Sequence, residues 1–149
     1  MIVLDTNVIS ELTRREPSKN VLAWADSVHG PEVATTAVTA AELLYGIARL
    51  PDGKRKDQLH DAIKHLLDVD FAGRVHPFDR DAASCCAIIV AGREAAGRPI
   101  ALADAQVAGI CRSRDAVLAT RNIKDFHGTG VRLINPWDAK GRPDAGAEA

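Results

Sequence analysis

The sequence predicts an α/β domain in which a central parallel sheet of four to five strands carries helices on both faces. Short branched-apolar runs alternate with amphipathic stretches, turn residues fall between them, and 149 residues with 46% hydrophobic and 26% charged side chains have the size and balance of one ordinary domain. Strands separated by helices pair in parallel, because each helical crossover brings the chain back to start the next strand at the same end of the sheet. The domain is expected to span residues 1–138. The remaining 139–149, rich in Gly, Ala, Pro and charge, read as a flexible tail.

Ile-Val-Leu-Asp (2–5) is the first strand, followed by a helix from Asn7 to Arg14 that stops before Pro17. A second helix runs from Asn20 to Val28 and ends at Gly30-Pro31. Glu-Val-Ala-Thr-Thr (32–36) is the next strand. A helix from Thr39 to Leu50 breaks at Pro51-Asp52-Gly53, and another spans Lys56 to Leu67. Asp79 to Ala96 forms a helix closed by Gly97-Arg98-Pro99, and Leu102 to Ser113 forms the last long one. Ala-Val-Leu-Ala-Thr (116–120) and Val-Arg-Leu-Ile-Asn (131–135) complete the strands, with Gly128-Thr129-Gly130 turning the chain before the last. The stretch from Ala82 to Ala96 is more hydrophobic than one buried face needs, which makes it a self-association surface.

Composition narrows the function classes. A net charge of −1 excludes a protein that coats nucleic acid through bulk positive charge. Basic residues do cluster, at Arg14-Arg15, Lys54-Arg55-Lys56, Arg112 with Arg114, and Arg121 with Lys124, but such runs are first of all solvated faces. No apolar run approaches the roughly 18 residues of a spanning helix, and no export leader precedes the first strand, so the expectation is cytoplasmic and without membrane contact. Cys85, Cys86 and Cys111 lack metal-ligand spacing and read as small hydrophobes. Trp24 reads as core, and Trp137 as packing the end of the chain onto the body.

Three acids sit where a helix begins after an extended or turn segment: Asp5, Glu42 and Asp104. Each has a structural reading. Asp5 caps the helix that follows, Thr39 and Glu42 have the spacing of a capping box, and Asp104 suits the dipole of a first helical turn. Together they have another, because the carboxyl ends of the strands and the helix starts beside them line one crevice in an open α/β sheet. Carboxylates gathered there repel one another unless a cation compensates, and Mg²⁺ is the natural hard partner. No GxSxG, P-loop or HExxH motif is present, and His29, His60, His65, His76 and His127 are scattered. A divalent ion polarising a phosphoryl oxygen and activating a water for attack on a phosphodiester needs none of these.

The stretches that carry these acids resemble a known family. They are Met-Ile-Val-Leu-Asp-Thr-Asn-Val-Ile-Ser-Glu (1–11), Thr-Ala-Ala-Glu-Leu (39–43) with Gly46 one turn later, Ala103-Asp104-Ala105, Leu-Ala-Thr-Arg-Asn (118–122) leading to Asp125-Phe126, and Asn135-Pro136-Trp137. In order and spacing they are similar to the PIN-domain toxins of the VapC and FitB type. The resemblance implies a single PIN-like domain and a ribonuclease dependent on Mg²⁺ or Mn²⁺, with Asp5, Glu42 and Asp104 as metal ligands. It implies an RNA substrate, a small DNA-binding antitoxin encoded beside it, and a homodimer. It places Asn122 at the fourth site position, where many relatives carry an acid. Asp125, three residues on, substitutes for that acid if the intervening turn is helical, and is otherwise an exposed or capping acid. Thr6, Asn7 and Thr120 orient the acids by hydrogen bonds, or else serve ordinary caps and turns.

Two rivals follow from the same residues. A degenerate PIN domain that binds RNA or antitoxin without cleaving would fit the amide at Asn122. A haloacid-dehalogenase-like phosphatase also begins with an apolar strand ending in Asp, but that chemistry wants a second acid two residues on, where this chain has Asn7.

Overall fold

A computed structural model describes residues 1–138, so the predicted tail at 139–149 lies outside the described residues. In chain order the elements are β1 (Ile2–Leu4), α1 (Thr6–Leu12), α2 (Lys19–Ser27), β2 (Val33–Thr36), α3 (Ala37–Ala48), α4 (Lys54–His65), β3 (Val75–His76), α5 (Arg80–Ala95), α6 (Leu102–Ser113), β4 (Val117–Ala119), α7 (Ile123–Phe126) and β5 (Leu133–Ile134). The strands form one parallel sheet in the order β3-β2-β1-β4-β5. The chain therefore lays β2 and β3 on one side of β1, then crosses to lay β4 and β5 on the other. Between β1 and β4 the direction of winding reverses, and a crevice opens there at the carboxyl ends of the strands.

Alternation along the strands builds a core on each face. Val3, Ala34, Leu118 and Leu133 point to one side and pack with Ile89 of α5, Val107, Ala108 and Cys111 of α6, and Phe126 of α7. Leu4, Val33, Ala119 and Ile134 point to the other, where Val8 and Ile9 of α1, Trp24 of α2, Leu43 and Ile47 of α3 and Ile63 of α4 cover them. Such strands, covered on both faces, explain why the sequence shows short apolar runs rather than polar alternation. Trp24 is 7% exposed in the second core, and Trp137 packs against it, as the sequence suggested. Cys86 and Cys111 are buried free thiols, and burial pushes both up in pKa, so they act as apolar packing groups. Among the described residues no helix is long and apolar enough to cross a membrane.

The structure departs from the sequence reading in places with identifiable causes. β3 has no counterpart in the sequence pattern, because two residues are too few for a period; it pairs with Thr35 and Thr36 of β2, and Thr35 N donates to Arg74 O at 3.0 Å. α3 begins at Ala37 rather than Thr39, since Thr36 is its cap. The Thr36 hydroxyl accepts from Thr39 N at 3.0 Å and donates to the Thr39 hydroxyl at 3.1 Å, both threonines being fully buried. The Thr39–Glu42 capping box is therefore absent, and Glu42 is left in the second turn with its carboxylate uncommitted to the helix end. α4 starts two residues early and gives way to a wider turn of π-helix at Leu66–Asp70. The strands are each a residue or more shorter than the apolar runs that announced them.

Candidate active site

Asp5 stands immediately after β1, at the point where the winding reverses, and is 5% exposed. A carboxylate buried this far needs donors, and it has three. Thr6 N reaches Oδ1 at 2.8 Å, so Asp5 does cap α1, while the Thr120 hydroxyl at 2.8 Å and Asn7 Nδ2 at 3.2 Å both reach Oδ2. Thr120 lies just past β4, the neighbouring strand, and is fully buried. Its hydroxyl oxygen also accepts from Asn7 Nδ2 at 3.3 Å and from Asn122 N at 3.0 Å, and Asn7 Oδ1 accepts from Arg121 N at 3.1 Å. Asp5, Asn7 and Thr120 thus lock the ends of β1 and β4 together. The amide of Asn7, bonded on both sides, leaves no second carboxylic acid beside Asp5 for phosphatase chemistry.

Glu42 reaches the same place from α3, where its Oε1 accepts from the Thr6 hydroxyl at 3.0 Å. Asp104 enters from the first turn of α6. Its carboxyl is pushed up to about 6, by burial first and then by the negative charges of Asp5, Asp125 and Glu42, with the cation of Arg93 opposing. Asp5 is also raised, by burial and by Asp125, against its three hydrogen bonds. Charges act on one another this way only over short distances. Asp5, Glu42 and Asp125, on three other segments, are thus near enough for their charges to act on Asp104.

Asn122 and Asp125 differ in local geometry. Asn122 begins the short helix α7, but its side chain makes no capping bond and only its backbone N joins the network. Asp125 lies one helical turn on, at the third residue of α7, and its charge acts on both Asp5 and Asp104. The helical turn that the sequence left open is present.

One contributor escaped the sequence reading. Arg93, 8% exposed, donates from Nη1 to the carbonyls of Asp125 at 2.8 Å and His127 at 2.9 Å, and from Nε to Arg98 O at 2.6 Å. It pins the end of α7 and brings a cation that acts on Asp104. The signal was available, since Ala82, Cys86, Ile89 and Arg93 are the buried stripe of α5; an arginine in the last turn of a helix reads instead as a dipole partner at the surface.

The charge concentration has a measurable cost. A carboxyl raised from its ordinary 3.8 to about 6 holds its proton more tightly in the folded chain than in the unfolded one. Its contribution to stability is then fully present below its ordinary value and is lost as pH rises through 6. Without metal, melting temperature should rise as pH falls from about 7 to about 5, and Asp104→Asn should remove most of the rise, about 1–2 kcal/mol after allowance for solvent screening. Asp5, raised by burial, adds to the rise in both proteins, and His76, held below its usual value by burial and Arg114, opposes it in both, so the difference between the two pH slopes reports Asp104. Equal pH slopes for the two proteins would show that Asp104 carries no such burden.

The donor set is hard carboxylate oxygen throughout, and the strain it bears is uncompensated negative charge, the two properties a small divalent ion satisfies. Among the described residues no three acidic, histidine or cysteine side chains are drawn to metal-ligand spacing. The pocket fits such an ion by chemistry and charge rather than as a closed cage.

The family model for the PIN domain matches residues 2–130. The chain is 40% identical to Toxin FitB of Neisseria gonorrhoeae, over 92% of this chain and 99% of that protein. It is also 40% identical to a VapC ribonuclease of Sinorhizobium fredii, over 93% of this chain and 99% of the relative. Among solved structures, FitAB bound to a DNA fragment superposes with a TM-score of 0.87 at 39% identity, covering 93% of this chain and 96% of that one. On these similarities the chain belongs to the PIN-domain family, in the branch that holds the VapC and FitB toxins.

Proposed function

We propose that this chain is a cytoplasmic endoribonuclease dependent on Mg²⁺ or Mn²⁺, the toxin of a type II toxin-antitoxin pair, hydrolysing RNA phosphodiester bonds with water. The observation that carries the reading is the convergence of Asp5, Glu42, Asp104 and Asp125 at the point where the sheet reverses, with Asp104 pushed up to about 6 by its neighbours. The likeness to a VapC ribonuclease supports RNA as the substrate.

Asp5, Glu42 and Asp104 are the residues that would hold the metal, with Asp125 filling the fourth position in place of Asn122. When bound, the ion supplies Lewis acidity toward a phosphoryl oxygen and toward the attacking water. The chain itself supplies placement. Three hydrogen bonds keep the Asp5 carboxylate from rotating, the Thr6 hydroxyl fixes one oxygen of Glu42, and the Arg93 clamp on α7 sets the height of Asp125. Thr6, Asn7 and Thr120 are therefore supporting residues.

The partner is a small DNA-binding antitoxin, through which the pair would bind its operator; the structure of FitAB on DNA supports that class. A segment of it would cover the crevice and present a basic side chain to the acids. A homodimer through the outer face of α5, where Ile88 is 59% exposed, accounts for that helix's excess of apolar residues.

Expression of the chain alone should arrest growth and fragment cellular RNA, and co-expression of the adjoining small open reading frame should restore growth and yield a co-purifying complex. Absence of toxicity, cleavage and partner alike would favour a domain that binds without cutting. The fourth position has its own test, calorimetric titration of Mn²⁺ into the protein and two variants. One firm site is expected. Asp125→Asn should weaken it about tenfold, on the scale of losing an orienting partner, and Asn122→Asp should strengthen it by adding a negative ligand. An unmoved affinity in Asp125→Asn would place that acid outside the pocket.

A further inference from the structure

A trough runs from Glu42 along α1, α3 and α4. Thr6 and Glu42 form one end of a cavity of about 270 Å³ between α1, α3 and α4, and Arg55 of α4 stands on its wall. Arg55 and Thr13 also line an adjoining cavity of about 510 Å³ with Arg14, Arg15 and Glu16, three cations to one carboxylate. Sharing a side, the two make one passage from a metal-site acid to a cluster of cations. Its inner part is floored by apolar side chains of α3 and α4.

Most arginines elsewhere in the molecule are engaged: Arg93 on backbone carbonyls, Arg114 on Asp79, Arg132 on Asp115. Arg14 is held by Glu11 at 3.0 Å. Arg15 and Arg55, by contrast, are exposed and make neither an ion pair nor a side-chain hydrogen bond among the described residues. Two uncommitted cations thus flank a passage that begins at the most acidic point of a chain whose net charge is −1.

A nuclease that cuts within a polymer has to hold the strand beside the bond it breaks, and an acid-lined pocket repels the phosphates it acts on. The holding charge must stand next to the acids rather than among them. We infer that this trough is the track for single-stranded RNA on one side of the scissile bond, with Arg55 and Arg15 taking backbone phosphates and the apolar floor taking bases. The inference rests on the ribonuclease reading. Cationic grooves with apolar or aromatic floors bind single strands without base selection, and each phosphate contact contributes to the salt dependence.

The test is binding of a labelled single-stranded RNA, followed by fluorescence anisotropy across a salt series with Mg²⁺ present, in the Asp104→Asn background so that cleavage does not intervene. Adding Arg55→Gln should weaken binding about 3- to 10-fold and lower the slope of log affinity against log salt by about 0.7, with Arg15→Gln acting in the same direction. Arg80→Gln, on α5 and bonded to Ser84 rather than placed along the trough, should change neither. Arg55 is exposed, so its substitution leaves the cores intact, and a melting curve checks this. If the parent binds RNA and Arg55→Gln moves neither affinity nor slope, the track is wrong while the ribonuclease reading stands. Unchanged RNA binding with weakened antitoxin binding would make the trough the antitoxin's seat and overturns the inference as well. A parent that binds no RNA at all overturns the ribonuclease reading and takes the track with it.

Discussion

Asp104→Asn should abolish RNA cleavage, by on the order of 10²–10³-fold or more, while leaving the protein folded and, without metal, more stable. The activity figure is the scale on which removing a single preorganised electrostatic partner acts at an active site, and a metal-ligating charge is at least such a partner. The amide keeps the volume of the carboxylate, so packing in the first turn of α6 is unaffected. What disappears is the negative charge that burial, Asp5, Asp125 and Glu42 all oppose at neutral pH. Losing function while gaining stability is the signature of a group retained for chemistry. Chelation should give the same loss in the unmodified protein, reversed by Mg²⁺ or Mn²⁺, and acid pH should inhibit because protons compete with the metal for the carboxylates. Activity undiminished in excess EDTA would end the metal reading, and an unfolded Asp104→Asn would show that Asp104 serves the helix rather than the site.

Gly109→Ala should destabilise the domain by about 2–3 kcal/mol, a drop of about 6–10 °C in melting temperature. A Cβ at position 109 would lie 2.6 Å from the Ala82 carbonyl oxygen and 3.0 Å from Cys86 Cβ. The obstacle is the backbone of α5, which no rotamer change removes, so α5 and α6 must part along the face where Ile89, Val107, Ala108 and Cys111 meet the sheet. Alanine's helix preference over glycine, about 1 kcal/mol, is already set against the loss. Gly92→Ala provides the contrast. It lies inside α5, and a Cβ there would meet nothing within 4 Å, so the same substitution should stabilise by up to about 1 kcal/mol. Thermal melts of the two variants test the claim, and a Gly109→Ala protein as stable as the parent would mean that the two helices can slide apart at little cost. Because α6 carries Asp104, metal affinity should fall with stability in Gly109→Ala and not in Gly92→Ala.

Much of this molecule was legible in the chain because the relevant physics is local. Branched-apolar runs of a few residues bounded by Gly and Pro mark strands covered on both faces, and helical periodicity between them forces parallel crossovers, so the α/β class, four of the five strands and six of the seven α-helices among the described residues follow from neighbours in sequence. Asp5 at the end of an apolar strand, and Asp104 in a first helical turn, were likewise visible as charges placed where a buried carboxylate has to be explained.

Other features were decided only by tertiary structure, for reasons that local pattern does not carry. Glu42 had the spacing of a capping box, and only the buried Thr36–Thr39 pair, fixed by β2 pairing with β1, moved the helix start and released that carboxylate toward Thr6. β3 consists of two residues whose only claim to be a strand is the partner beside them. Asp125 could stand in for Asn122 only if the intervening turn were helical, and that turn, α7, held from α5 by a buried arginine, exists only in the folded chain, where the charge of Asp125 acts on Asp5 and Asp104. Periodicity and capping act over a turn of chain, and those the sequence determined; a shared electrostatic field, a long-range pair and a cation buried among carbonyls join residues 30 to 115 positions apart, and only the folded sheet brings them within reach.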